Sequence, residues 1–335
     1  MDFLNYLQTV FDDKKIPENV FLMFMMLYES VRETFVATGE SIEKHHPVFV
    51  TFVEKVIEQV KHPYQFEPYH EKITKPFDYY QFGIDFFLPL IEEETSCINN
   101  VDVIYRMKDQ LAKGENVILF ANHQTEVDPQ LMSISLEKIC SKLASEMIFV
   151  AGDRVINDPL AIPFSMGRNL LCIYSKRYID NPPEKKHEKQ LHNQRVMRRM
   201  SQLLADGGKC IYVAPSGGRD RPGQEGEVEV ASFDPNSIEM FRLMAIQGKR
   251  GAHFYPLALD TYNILPPPDV INWELGERRI AHRDGIRLSF GNEIDMDHFP
   301  GAETAHNRHA KRKVRADYIW GLVKRDYEKI KRKKS

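Results

Sequence analysis

Cysteine is scarce in this chain. There are four among 335 residues, Cys97, Cys140, Cys172 and Cys210, and no Cys-x-x-Cys pair. That excludes a disulfide-stapled scaffold and the common zinc-ligand spacings, and it predicts buried free thiols in a reducing compartment. Long apolar runs are missing as well. Val20-Phe21-Leu22-Met23-Phe24-Met25-Met26-Leu27 falls far short of the ~18 to 20 residues that a membrane-spanning helix requires. Charge of one sign is not in excess, since 45 Lys and Arg stand against 48 Asp and Glu. No nucleic-acid recognition motif accompanies the basic stretches, so nucleic acid is not an expected partner. The start, Met-Asp-Phe-Leu, lacks the basic, apolar and small-residue succession of a signal peptide, and it is not Arg- and Ser-rich like a transit peptide. The expectation is a cytoplasmic chain, or one whose targeting segment is missing.

What is present is the composition of a globular protein, 42% hydrophobic and 28% charged, with length for about two domains. Asp2 to about His62 reads as helix throughout. Phe3, Leu4, Leu7 and Phe11 fall at helical spacing, a second segment opens at Pro17-Glu18-Asn19, and Val48, Phe52, Val56 and Val60 recur every four residues before His62-Pro63. These predict a small N-terminal bundle, taken as residues 1–75. The aromatic-rich stretch from Tyr64 to Leu90 is a connection with one helix near its end. Its rings either pack between the two domains or line an apolar pocket.

From Asn100 onward helix and strand patterns alternate. Strands are expected at Val117–Ala121, Met147–Ala151, Leu170–Tyr174, Cys210–Ala214, His253–Leu259 and Ile286–Phe290. Helices are expected at Val101–Leu111, Pro129–Lys142, His187–Ala205 and Ile238–Gln247. This alternation predicts an α/β fold over residues 76–335, a mixed, largely parallel central sheet flanked by helices. The tail from His306 to Ser335 is strongly basic. It is either a solvated helix face or a dock for an acidic partner or an anionic membrane surface.

The chemistry concentrates at three strand ends. After Val117–Ala121 comes Asn122-His123-Gln124-Thr125-Glu126-Val127-Asp128-Pro129. A neutral imidazole can take a proton from a hydroxyl near neutral pH if its tautomer is fixed, and Asp128 is placed to hold the far ring nitrogen of His123. The pair is then two thirds of a Ser-His-Asp triad, with a substrate hydroxyl in place of the serine. The alternative for Asp128 is a plain helix cap before Pro129. After Cys210–Ala214 comes Pro215-Ser216-Gly217-Gly218-Arg219-Asp220-Arg221-Pro222, where Arg219 and Arg221 offer forked donors to a phosphate. The Gly-Lys-Ser/Thr ending of a P-loop is absent, so a phosphate without a nucleotide is the better fit. After Leu170–Tyr174 come Ser175, Lys176 and Arg177, which join the same site if these strands are neighbours.

These blocks, together with Ala151-Gly152-Asp153-Arg154-Val155 and Phe254-Tyr255-Pro256-Leu257-Ala258-Leu259, resemble the ordered blocks of the soluble, plastid-type glycerol-3-phosphate acyltransferases over roughly residues 100 to 270. The resemblance implies transfer of a fatty acyl group from an acyl carrier protein or coenzyme A thioester to the sn-1 hydroxyl of glycerol 3-phosphate. His123 becomes the general base, Asp128 its orienting partner, and Arg219 and Arg221 phosphate ligands. The family's Lys-His pair after the Tyr-Ser-Lys step falls on Arg177 and Tyr178; Arg177 keeps the charge and Tyr178 does not. No metal or organic cofactor is needed by such a reaction. An acidic carrier has two basic surfaces to choose from, the His187 to Arg199 helix and the tail. The resemblance also implies plastid stroma as the location if a transit peptide is missing. Two rival readings remain, a thioester hydrolase using the same dyad on water and a non-catalytic binder of phosphorylated ligands or membrane surfaces.

Overall fold

The computed structural model describes residues 2–174, 179–268 and 277–331. Helices α1 (Phe3–Asp12), α2 (Glu18–Ala37) and α3 (His46–Lys61) open the chain. On α3 the buried stripe is Phe49, Phe52, Val53 and Val56, whereas Val48 and Val60 are only partly covered. A strict four-residue step drifts around a 3.6-residue helix, so the inward face is made by alternating steps of three and four.

Strand β1 (Tyr69–His70) and helix α4 (Tyr79–Phe87) follow. Phe82, Phe86 and Phe87 of α4 surround the ring of Phe164, with centroids 5.0 to 5.2 Å away, and Phe52 of α3 closes the cluster at 4.8 Å. Packing is therefore the main use of these aromatics. Such ring pairs add about 0.5–1.5 kcal/mol each beyond the area they bury.

The alternating part comprises β2 (Cys97–Asn99), α5 (Val101–Ala112), β3 (Asn116–Ala121), α6 (Asp128–Glu146), β4 (Ile148–Gly152), α7 (Ile162–Met166), β5 (Asn169–Ile173) and α8 (Lys186–Asp206). It continues through β6 (Cys210–Val213), the short strands β7 (Arg221–Pro222) and β8 (Val228–Glu229), α9 (Pro235–Gln247), β9 (Ala252–Asp260), β10 (Arg287–Phe290) and α10 (Arg308–Ile330). The sheet order is β1-β5-β4-β6-β3-β9-β10-β2. Pairing is parallel from β5 through β4, β6 and β3 to β9, and antiparallel where β1 joins β5 and where β10 joins β9. The fold is the expected mixed, largely parallel α/β sheet with a helical N-terminal region.

Strand β3 lies in the middle and every residue of it is buried. Val117, Leu119 and Ala121 face a core shared with the N-terminal helices and α6, while Ile118 and Phe120 face one shared with α8, α9 and α10. A strand covered on both faces reads as a continuous apolar run, which is why this segment stood out in the sequence. Truncating a side chain as enclosed as Phe120 costs about 3–5 kcal/mol.

From Arg308 to Ile330 the basic tail is not wholly solvated. Ala316, Ile319, Val323, Tyr327 and Ile330 of α10 are buried at steps of three and four. Arg315, itself buried, pairs with Glu239 of α9. Among the described residues, no helix is long and apolar enough to cross a membrane.

Candidate active site

Parallel pairing of β6, β3 and β9 brings their carboxyl ends to one edge, with Phe120 opposite Val213 and Ala121 opposite Leu257. Residues 122–128, 214–220 and 261–262 leave the sheet together there. The site is built from these three exits.

His123 is the exposed member, its side chain 29% accessible, and Asp128 beside it is fully buried. Their Nδ1 to Oδ2 distance is 2.8 Å. A carboxylate only accepts, so the proton lies on Nδ1 and the Nε2 lone pair is left for a ligand. No hydrogen bond to Nε2 is made among the described residues.

Asp128 does not cap its helix. Val127 occupies the cap position, and the Asp128 carboxylate turns back instead, accepting the backbone N–H of Gln124 at 2.9 Å and of Thr125 at 3.4 Å through Oδ2. Its Oδ1 accepts the hydroxyl of Thr261 at 2.7 Å. The side chain thus fixes the loop that carries the imidazole, and both of its oxygens are used.

The arginine loop is stitched to the same place. The backbone N–H of Asp220, between Arg219 and Arg221, donates to the carbonyl of His123 at 2.6 Å. Asp220 Oδ2 accepts from Asn122 at 2.8 Å and from Gln124 at 3.4 Å, and its Oδ1 from the N–H of Ala231 at 2.9 Å. Burial pushes this carboxyl up to about 6, against the pull of those donors. Asn122 also exchanges hydrogen bonds with the backbone of Leu259, at 2.8 and 2.9 Å, and its carbonyl accepts the Tyr212 hydroxyl at 2.7 Å. Gln124 Oε1 accepts the N–H groups of Thr261 and Tyr262 at 2.7 and 3.0 Å.

Arg219 is already engaged. Its Nη2 donates to both oxygens of Glu277 at 2.6 and 2.7 Å, and Arg154 Nη1 lies 3.4 Å from the same carboxylate. Arg221 donates to the carbonyl of Pro268. Arg279, buried at 6% exposure, joins Glu126 of the histidine loop to Asp158 and donates to the backbone carbonyl of Glu277 at 3.2 Å. Desolvation lowers the pKa of that guanidinium, but Glu126 and Asp158 more than reverse this and leave it raised. Lys176, Arg177 and Tyr178 lie outside the described residues.

Next to the first turn of α6 is a cavity of about 40 Å³, with Val127, Pro129, Val155 and Phe164 on its apolar side and Gln130 and Arg168 on its polar side. Arg168 is buried against the Tyr80 ring, 4.6 Å from its centroid, and burial lowers its pKa to about 10.

A model of the Acyltransferase family matches residues 102–260, the span that carries β3, the His123 loop and the arginine loop. Over 334 residues the chain is 36% identical to a chloroplastic glycerol-3-phosphate acyltransferase of Cucurbita moschata, covering 98% of this chain and 74% of that protein. The chain belongs to the glycerol-3-phosphate acyltransferase family. The chloroplastic glycerol-3-phosphate acyltransferase of Spinacia oleracea is 38% identical over 289 residues, 84% of this chain and 61% of its own length. For that of Arabidopsis thaliana the figures are 36% over 298 residues, 88% and 65%. The chain therefore spans between 61% and 74% of the length of these three relatives.

Several groups of this candidate site were not legible in the sequence. Thr261 had a faint signal, since it follows a predicted strand just as His123 and Arg219 do. Asn122 and Gln124 were visible as polar residues flanking His123 in a buried setting. Glu277 and Arg279 had none, being 58 and 153 residues from the partners they hold.

Proposed function

We propose that this chain transfers a fatty acyl group from a thioester donor to the sn-1 hydroxyl of glycerol 3-phosphate, giving 1-acylglycerol 3-phosphate, with His123 as general base and Asp128 as its positioning partner. The carrying observation is the 2.8 Å contact between His123 and Asp128 in a loop whose next hydrogen bond ties it to the arginine segment. Arg219 and Arg221, with Lys176 and Arg177, take the phosphate. Binding at one end of a three-carbon alcohol aims the other end at Nε2, and this positioning supplies much of the rate.

The hydroxyl oxygen attacks the thioester carbonyl carbon while Nε2 accepts its proton. The tetrahedral intermediate then expels the thiolate, which takes the proton back from the imidazolium, so the histidine ends as it began. Asp128 stabilises the transient cation. The cavity beside α6 is apolar enough to receive the start of an acyl chain. At about 40 Å³ it has room for only a few water-sized groups, so a long chain enters by widening it.

The donor is an acyl carrier protein or coenzyme A thioester. The exposed Lys186, Arg195 and Arg198 on α8 suit an acidic carrier, and the outer face of α10 suits either a carrier or an anionic membrane surface. The chloroplastic relatives favour the plastid stroma over the cytoplasm as the place of action.

Incubating the full chain with a long-chain acyl thioester, with and without glycerol 3-phosphate, tests the reading. Acyl glycerol phosphate must form only when both are supplied and must be lost in His123→Ala, by about a thousandfold or more. Release of free fatty acid at the same rate without glycerol 3-phosphate replaces the transferase by a hydrolase.

A further inference from the structure

The carboxylate of Glu277 sits on the guanidinium that the proposed phosphate site depends on. Both Glu277 oxygens lie within hydrogen-bond distance of Arg219 Nη2, at 2.6 and 2.7 Å. That nitrogen is not available to a phosphate while the pair is closed. Arg154 approaches the same carboxylate at 3.4 Å.

The charges of the surroundings sharpen this conflict. Arg154, Arg219 and Arg279 are bridged by Glu126, Asp158 and Glu277. The side chains of Glu277, Arg279 and Asp158 are each less than a tenth exposed, so water screens them poorly. Placing a phosphate dianion beside these poorly screened carboxylates adds like-charge repulsion, which is costly. Moving one carboxylate out relieves part of it.

Glu277 is placed to be the one that moves. Its backbone carbonyl accepts from Arg279 Nη1 at 3.2 Å, a bond that side-chain torsions moving the carboxylate away from Arg219 leave intact. Glu126 and Asp158 pair with Arg279 rather than with Arg219.

We infer that Glu277 is an internal competitor for the phosphate of the substrate, a carboxylate that occupies Arg219 when phosphate does not and so lowers the affinity for phosphorylated ligands. The inference rests on the assignment of Arg219 to the phosphate site. It makes Glu277 a specificity-determining residue: a ligand needs a group that outcompetes a carboxylate for forked guanidinium donors, which a phosphate dianion does and a neutral polyol does not.

The sign of one measurement separates this from a purely orienting role. Titration calorimetry of the full chain with glycerol 3-phosphate and with inorganic phosphate is compared for wild type, Glu277→Gln and Glu277→Asp. Competition predicts Kd lower by about three- to tenfold in Glu277→Gln, because a larger fraction of the protein is then binding-competent. Glu277→Asp keeps the charge but withdraws it from Arg219, and must fall between. In steady state the KM for glycerol 3-phosphate drops in both variants, and that for the acyl donor does not.

Unchanged or weaker phosphate binding in Glu277→Gln overturns the inference and assigns Glu277 to holding Arg219 in place. If Glu277→Gln does not fold, Glu277→Asp decides by the same sign. Wild type that binds glycerol 3-phosphate alongside variants that bind it no better sinks the competitor role alone. Absence of binding by every form sinks the phosphate site with it.

Discussion

Thr261 donates its hydroxyl to Asp128 at 2.7 Å across 133 residues of chain. It is the partner of the one carboxylate oxygen that the histidine loop leaves unused, and it comes from the end of β9, the strand beside β3. The dyad is therefore held from two strands. The consequence is a positioning role for a residue that touches no reacting atom.

Thr261→Val keeps the shape and removes the donor. A buried charged oxygen then lacks a partner, which lowers stability by about 1–3 kcal/mol. Misplacing the carboxylate and its imidazole lowers kcat by about ten- to hundredfold, with the KM for glycerol 3-phosphate little changed. Thr261→Ser restores kcat because the hydroxyl returns. Equal kcat in the Val and Ser variants contradicts the role.

Arg219→Ala and Arg221→Ala each remove a charged donor from the proposed phosphate site. The KM for glycerol 3-phosphate rises by about ten- to hundredfold, as expected from the loss of a charge-assisted hydrogen bond. The KM for the thioester moves far less. Steady-state kinetics in which both constants rise together would place these arginines elsewhere.

Asp220 gives the site a stability that depends on pH. Its pKa is raised to about 6 by burial, above the ordinary ~3.9 it has in the unfolded chain. Between these values the folded form holds the proton more often than the unfolded form does, so this group makes the protein less stable as pH rises through the window and has no further effect above it. Relative to Asp220→Asn, wild type therefore gains stability as pH falls from 7 towards 4.5. Urea unfolding of both proteins across that range measures the gap, and a gap that stays constant rules the linkage out.

Arg279→Met removes a guanidinium that holds Glu126 and Asp158 together. Two carboxylates lose this cation in a largely enclosed place, and the expected loss is about 3–5 kcal/mol of unfolding free energy. Glu126 lies in the histidine loop, so activity falls with it. Wild-type stability in denaturant titrations would show that the network is incidental.

The strands and most helix boundaries were readable because both rest on local periodicity. The run Val117 to Ala121 is covered on both sides and shows no polar interruption, and α8 ends at the Gly207-Gly208 step, where Gly207 takes φ +81° at the cap. On α3 the four-residue spacing picked out the buried Phe52 and Val56 but included the half-covered Val48 and Val60 in place of Phe49 and Val53, because it only approximates the turn of a helix. Strand β2 and the short β1 were missed, since edge strands two or three residues long carry too little pattern to register.

The histidine loop was visible for a similar reason. His123 and Asp128 are five residues apart, so one turn of chain suffices to bring them into contact, and sequence order alone limits the distance. The same holds for Arg219 and Arg221. What Asp128 does with its other oxygen was not visible: the Asp-Pro signature of a helix start describes the place correctly, but the carboxylate caps the loop before it.

The sequence by itself determined most of the strands and helices, that both faces of the central strand are buried, and which loops carry the imidazole and the forked cations. Only the tertiary structure decided that β6, β3 and β9 lie side by side, and with that choice that Asp220 meets His123, Thr261 meets Asp128 and Glu277 closes on Arg219. The reason is physical. Hydrophobic patterning specifies the burial of each strand through its own side chains, but it says nothing of strand order, and pairs joined across loop ends exist only once that order is set.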